Sequence, residues 1–405
     1  MMEQKLSRML DFAVNDLNNN LLPWWMKHLP DACNGGFYGV VRADNSPDTE
    51  ADRFIVLFAR LVWTFSAAYR VTRIKSYAET ANRAYDYFTT RFYDQKHGGF
   101  FTSVRYDGTP SLKHKLVYGN AFAVYALAEY ARAFKSDAAI QRAIETTDLL
   151  DKFMYDEVYQ GYYETASPDW MHTPSVRGMN RHENELKTMN THLHMIEAYT
   201  NLLRVSESNA LRSRVRRLLY LFLNRILNRD THHFHYFQQR DWIPTTPEQS
   251  FGHDIEGSWL LYETAQVLGE NEALADTRGV SINMARAVYE DGLHPSGALY
   301  SEYDPEKKIF APHFSWWEQA ESVVGFLNAW ELSGDEKFFD LSLHTLNYID
   351  SNFIDRERGG WQSHLSHAHK PKTDLHKATG FLCPYHNARM SLEIIERCER
   401  RLQEG

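Results

Sequence analysis

The chain has 405 residues, a formal net charge of −9 and three cysteines, and 14% of its residues are aromatic. No basic stripe points to nucleic acid, no run reaches the ~18 apolar residues of a membrane span, and sparse cysteines without a Cys-x-x-Cys pair give neither a disulfide framework nor a structural zinc site. With no apolar leader at the N-terminus and no Pro/Gly/Ser-rich linker, the expectation is a soluble, cytoplasmic protein, a monomer or homodimer, folded as one domain over 1–405.

A glycine-aromatic signature punctuates the chain six times. The first copy, Gly35-Gly36-Phe37-Tyr38, precedes a helix expected over 53–72. Its stretch from Phe54 to Phe65 is apolar nearly all round, which suits a helix buried on every side, yet it contains Arg60. A guanidinium cannot shed its charge, so Arg60 must be ion-paired or face a polar cavity. The second copy, Gly98-Gly99-Phe100-Phe101, precedes a helix over 117–134. The third, Gly161-Tyr162-Tyr163-Glu164, precedes a helix over 186–205 with Asn190, His194 and Glu197 on one face and His192 on another. A polar-lined cavity and an ordinary hydrogen-bonded core histidine both account for that pattern.

The fourth copy, His233-Phe234-His235-Tyr236, precedes Ser250-Phe251-Gly252-His253-Asp254-Ile255-Glu256 and a helix over 254–268. Ser250 or Asp254 could cap that helix. His253 and Glu256 are three apart, so the carboxylate can orient the imidazole and raise its basicity. A capped helix start with an ion pair is the plainer alternative; a di-iron His-x-x-Glu pair would need matching carboxylates that the chain does not supply. His232, His233 and His235 alternate as one hairpin face does, without metal-site spacing. The fifth copy, Gly297-Ala298-Leu299-Tyr300, precedes Trp316-Trp317-Glu318 and a helix over 317–333. Consecutive tryptophans point in different directions, which leaves one to stack on a ligand. The sixth, Gly359-Gly360-Trp361, precedes Cys383-Pro384-Tyr385-His386 at a helix start.

The copies recur about every 62 to 72 residues, room for two helices and a loop. Six helical hairpins of similar length can close into a ring, with the glycine-aromatic copies as small β-hairpins or turns on one rim and a ligand in the mouth. Closure brings His386, in the last repeat, close to the first. No Gly-x-Gly-x-x-Gly follows a strand and no phosphate loop is present, so no nucleotide cofactor is expected.

The stretches Lys187–Tyr199, Ser250–Glu256, Trp316–Phe326 and Cys383–Met390, together with Asn34–Gly39 and Ala59–Ser66, resemble the N-acylglucosamine 2-epimerase superfamily over the full chain, and most closely its cellobiose 2-epimerase branch. The resemblance implies an all-α (α/α)6 barrel that inverts C2 of a free reducing sugar, cellobiose or lactose in the lead, with no cofactor and no metal. It implies His253 and His386 as the acid/base pair, with Glu256 assisting His253. Arg60, Asn190 and His194 would hold the oxygens at C1 and C2, and Trp316, Trp317, Tyr118 and Phe122 would shape the sugar site. One departure stands out. The branch has Trp-Lys before Cys-Pro-Tyr-His, whereas this chain has Phe381-Leu382. Phenylalanine offers a sugar less stacking area, so mannose 2-epimerisation or aldose–ketose isomerisation is the alternative. The chemistry agrees with the residue types: C2 inversion needs one proton-transfer group on each face and a cation beside the enediolate. A glycoside hydrolase on a similar barrel would instead use paired carboxylates, drawn from Asp254, Glu256, Glu318 and Glu321. A sugar-binding module would leave both histidines dispensable.

Overall fold

The computed structural model describes residues 2–171 and 185–404. The helices are α1 (Met2–Asp16), α2 (Leu22–His28), α3 (Ile55–Thr72), α4 (Lys75–Tyr87), α5 (Val117–Phe134), α6 (Asp137–Met154), α7 (Met189–Leu203), α8 (Asn209–Leu221), α9 (Phe251–Leu268), α10 (Asn271–Gly292), α11 (Trp316–Ser333), α12 (Glu336–Asn352) and α13 (Tyr385–Glu404). The odd-numbered helices from α3 to α13 pack each on the next, and α13 returns to α3. This closed inner ring is sheathed by α4, α6, α8, α10 and α12, each beside the inner helix before it, and by α1 beside α13.

Composition assigns each helix to its layer. Every residue from Ile55 to Ala68 of α3 is buried, as an inner-ring helix requires. Outer α4 buries only Tyr77, Ala81, Ala84 and Tyr87, one stripe at helical spacing. The apolar length of α3 is therefore core of the barrel, and most of it is buried within the protein.

All six signatures form a bridged turn, in which the residue closing each outer layer pairs with an aromatic or apolar residue of the signature: Pro30 with Phe37, Tyr93 with Phe100, Tyr155 with Tyr162, Leu227 with Phe234, Leu293 with Leu299 and Ile354 with Trp361; the fifth is one residue shorter and the fourth has His233 in place of glycine. Glycine is required at Gly161 because φ is +76° and a Cβ there would lie 2.4 Å from Trp242 Cζ2. Trp242 in turn donates through Nε1 to Tyr159 O at 2.8 Å, stapling successive repeats together. Cations ahead of four inner helices grip the turn aspartates: Arg53 on Asp31, Lys115 on Asp94, Lys187 on Asp156 and Lys377 on Asp355.

A second device ties four of the turns to the start of the following inner helix. Asn120 Oδ1 accepts from Phe100 N, His192 Nε2 from Tyr162 N, Asp254 Oδ1 from Phe234 N and Gln319 Oε1 from Leu299 N, at 2.7–2.8 Å. The rim turns therefore fix where the inner helices begin. Three helices start away from their expected positions: Arg53–Phe54, Lys187–Thr188 and Gln249–Ser250 are paired as strands, and α3 begins after them at Ile55, α7 at Met189 and α9 at Phe251.

Candidate active site

Each inner helix from α5 onward sets two residues, one turn apart, in register around the ring axis. They are Tyr118 and Phe122, Asn190 and His194, Gly252 and Glu256, Trp317 and Glu321, and Tyr385 and Arg389. Arg60 enters from α3. The residue after the upper position is His253 in α9, Glu318 in α11 and His386 in α13. At the rim end these residues enclose a cavity of about 180 Å³. Arg60, Tyr118, Asn190, His194, His253, Glu256, Trp316, Trp317, Phe381 and His386 line it. Phe122 does not reach the cavity. It lies beneath, its ring 4.5 Å from His194 and 4.3 Å from the Arg60 guanidinium carbon.

The two histidines differ in their support. His253 Nδ1 is 2.7 Å from Ser250 Oγ. Burial, reinforced by His194 and Arg60, pushes His253 down to about 3. His386 Nδ1 donates to Glu321 Oε1 at 2.8 Å. Burial, then Arg60 and Arg389, hold it well below the usual imidazole value. Both rings are neutral at pH 7, with Nε2 left for chemistry. The Trp317 ring lies 4.7 Å from His253 and 5.3 Å from His386, so one indole touches both.

Arg60 resolves the choice posed by its sequence. It donates to Tyr118 Oη at 3.0 Å and Cys383 Sγ at 3.5 Å, and rests on the Phe122 and Tyr385 rings. Among the described residues no carboxylate pairs with it, so a buried permanent cation faces the cavity. Beneath lies a charge cluster. Arg389 binds Glu197, Glu256, Glu321 and the Tyr385 hydroxyl, and His194 Nδ1 is 3.0 Å from Glu197 Oε2. Burial and then Glu321 push Glu256 up to about 7 against the pull of Arg389. Burial likewise raises Glu321. Arg389 and His194 outweigh burial at Glu197 and lower it.

Besides Phe122, two expectations require correction. Glu256 does not support His253: its carboxylate is taken by Arg389 and lies 3.9 Å from His386 Nδ1, while His253 turns to Ser250 at the helix start. Asp254 is neither a helix cap nor a free acid. It holds the Phe234 amide and lies 2.7 Å from His233 Nδ1. Burial opposes protonation of His233, but Asp254 and Asp291 push it up to about 9, a structural ion pair. Of the four acids a hydrolase would draw on, only Glu256 lines the cavity. Sequence reasoning also passed over the parts played by Glu321 and Arg389. Their signal was charge inside apolar inner helices, the same signal that exposed Arg60. The groups that approach metal-chelating spacing, His194–Glu197–Glu256 and Glu256–Glu321–His386, have Arg389 bound to their carboxylates.

A larger cavity of about 890 Å³ opens where the inner helices end. Its arginines are committed to glutamates: Arg70 to Glu129 and Glu396, Arg204 to Glu263, and Arg397 to Glu331 and Glu393. Among the described residues lining these two cavities, the cation without a carboxylate partner is Arg60, on the rim side.

The family model for N-acylglucosamine 2-epimerase (GlcNAc 2-epimerase) matches residues 36–388. Cellobiose 2-epimerase of Bacteroides fragilis is 36% identical over 384 residues, covering 94% of this chain and 97% of that one. The structure of cellobiose 2-epimerase from Bacillus thermoamylovorans superposes with a TM-score of 0.92 at 34% identity, over 96% of this chain and all of that one. A D-mannose isomerase structure shares the barrel, with a TM-score of 0.80 at 20% identity and 97% of each chain covered. The chain is an epimerase, an enzyme of the isomerase class, built on an (α/α)6 barrel. The chain belongs to the N-acylglucosamine 2-epimerase family.

Proposed function

We propose that the protein inverts C2 of the reducing-end aldose of a free sugar, with a cellobiose- or lactose-type disaccharide as the lead substrate, through an enediolate formed between His253 and His386. The observation that carries this is two neutral imidazoles on one indole, in a cavity where, among the described residues, the unpaired cation is Arg60. After ring opening, one imidazole takes the proton from C2, and the C–H electron pair enters the C1–C2 bond as the carbonyl becomes an oxyanion. The other imidazole, having first taken up a proton at Nε2 from solvent at the cavity mouth, delivers it to the opposite face as the C1 carbonyl re-forms, and the first ring releases its captured proton to solvent. Charge on O1 and O2 is met by Arg60, with Asn190 and His194 as hydrogen-bonding groups. Tautomer control supports the scheme: Glu321 holds the His386 Nδ1 proton, which directs the reactive lone pair to Nε2.

Phe381 favours a second reading for substrate size. It is 42% exposed at the cavity mouth, packed on Phe54 at 5.2 Å and near Tyr118 at 6.3 Å. A second sugar unit would leave the barrel across this ring, and phenylalanine gives it less area than tryptophan. Mannose or another monosaccharide is therefore the alternative substrate. Product analysis on cellobiose, lactose, mannose, glucose, N-acetylglucosamine and fructose tests both readings. The disaccharide reading expects C2 epimers of cellobiose and lactose with the glycosidic bond intact. Turnover of mannose alone would replace it with the second, and release of monosaccharide from cellobiose would overturn both.

A further inference from the structure

One buried ionisable group at the rim has no part in the two-histidine chemistry. Glu318 holds on α11 the place that His253 holds on α9 and His386 on α13, directly after the upper axial position. It is 2% exposed. Among the described residues no cation pairs with it. Its polar neighbours are the Ser301 and Ser315 hydroxyls and its own backbone amide, and Oε2 has no hydrogen-bond partner. The contact that matters is with α9. A Cβ built on Gly252 would lie 2.5 Å from Glu318 Cγ and 2.5 Å from Trp317 Cη2. Glu318 and Trp317 thus pack side by side on the bare Cα of the residue before His253. Ser301 completes the joint, because its carbonyl accepts from Phe251 N at 3.2 Å and its hydroxyl lies 3.4 Å from that of Ser315.

We propose that Glu318 is a positioning residue of this site, holding Trp317 and the start of α9 against each other, and so both histidines in place, as an uncharged acid. This rests on the two-histidine reading above. Burial pushes Glu318 up to about 8; Ser301 and Ser315 oppose the rise and Glu302 adds to it. The other ionisable groups nearby are His253, one residue past Gly252, and His386 across the Trp317 ring, and neither is charged at pH 7. The acid form is the positioned form. As pH rises through about 8, an unpaired charge appears in an apolar joint, and the carboxylate must draw in water or swing off Gly252.

The test compares E318Q and E318A with wild type on whichever sugar the wild type turns over. Glutamine keeps the shape and the neutrality, so E318Q should hold kcat at pH 7 to within about threefold and lose the alkaline decline, which in wild type is about tenfold per pH unit above the midpoint. E318A leaves a void under Trp317 and should lower kcat about tenfold or more with KM little changed. A wild-type alkaline decline in E318Q, or equal loss of kcat in E318Q and E318A at pH 7, would overturn the proposal. Infrared difference spectra give a readout independent of turnover: wild type minus E318Q at pH 7 should show one protonated-carboxyl band, and its absence would equally overturn it. Failure of the epimerase reading would show differently, as no C2 chemistry in wild type.

Discussion

A hydroxyl supports His253 and a carboxylate supports His386, so their partners should matter unequally. Removing either ring, as in His253→Ala or His386→Ala, should cost at least the 10²–10⁴-fold typical of general acid–base groups while the circular dichroism stays native. Near-normal turnover in either variant would exclude the two-imidazole scheme. Replacing Glu321 by Gln should lower kcat more than Ser250→Ala does, because the first strips a buried charge partner from His386 and the second only a neutral contact from His253. At the mouth, Phe381→Trp should shift kcat/KM toward cellobiose over mannose by up to about tenfold, on the scale of an aromatic contact worth about 0.5–1.5 kcal/mol. The shift should lie in KM, since stacking holds ground state and transition state alike. An unchanged ratio would show that position 381 does not set substrate size. Because Arg389 already binds the clustered carboxylates, dialysis against a chelator should leave kcat unaltered. Loss of activity restored by one divalent ion would contradict that.

The helices are placed by their rim turns, and His192 is the clearest case. Its Nδ1 donates to Thr188 O at 2.7 Å while Nε2 accepts from Tyr162 N at 2.8 Å, an arrangement open only to the neutral ring. His192→Ala would orphan a buried amide and should cost about 1–3 kcal/mol in urea unfolding, whereas His192→Asn should recover part of it, since Asn120 does the same work in the second repeat. Protons sharpen the test. Burial pushes His192 and His253 down to about 3, whereas the unfolded chain protonates its histidines near 6.5. The unfolded state therefore binds more protons between those values, and stability should fall as pH drops from about 6.5 toward 3. Thermal unfolding against pH checks it, and His192→Asn should flatten the slope. The elements were legible where the signal was local. Glycine at positive φ marks five of the six rim turns, His232 taking φ +60° in the fourth, and the unbroken apolar run of α3 marks the inner ring. Side-chain partners across the barrel were not legible. His253 and Glu256 share a helix face at i, i+3, yet Arg389, 133 residues away from Glu256, captures the carboxylate. Local spacing cannot reveal such a competitor.

In the whole molecule the ring closes between its first and last elements, and the site depends on that closure because Arg60 and His386 come from opposite ends of the chain. Asp16 is the keystone of the outer seam. Its carboxylate accepts from Trp361 Nε1 at 2.9 Å and Asn20 Nδ2 at 2.7 Å, and Asn20 Oδ1 accepts from Gly360 N at 2.8 Å. On the rim Val41 pairs with Ala378. Asp16→Ala should orphan the buried indole N–H and cost about 1–3 kcal/mol in a single cooperative transition. A separate early transition of the last repeat would show that the ring does not close as one unit.

The claim that both imidazoles act at C2 is tested most directly by incubating cellobiose with the enzyme in D2O and following the reducing-end C2 position by NMR. The account predicts a mannose-configured reducing end carrying deuterium at C2, an intact glycosidic bond, and no such product from His253→Ala or His386→Ala. A C2 epimer that retains its original hydrogen, or free glucose in place of an epimer, would contradict it.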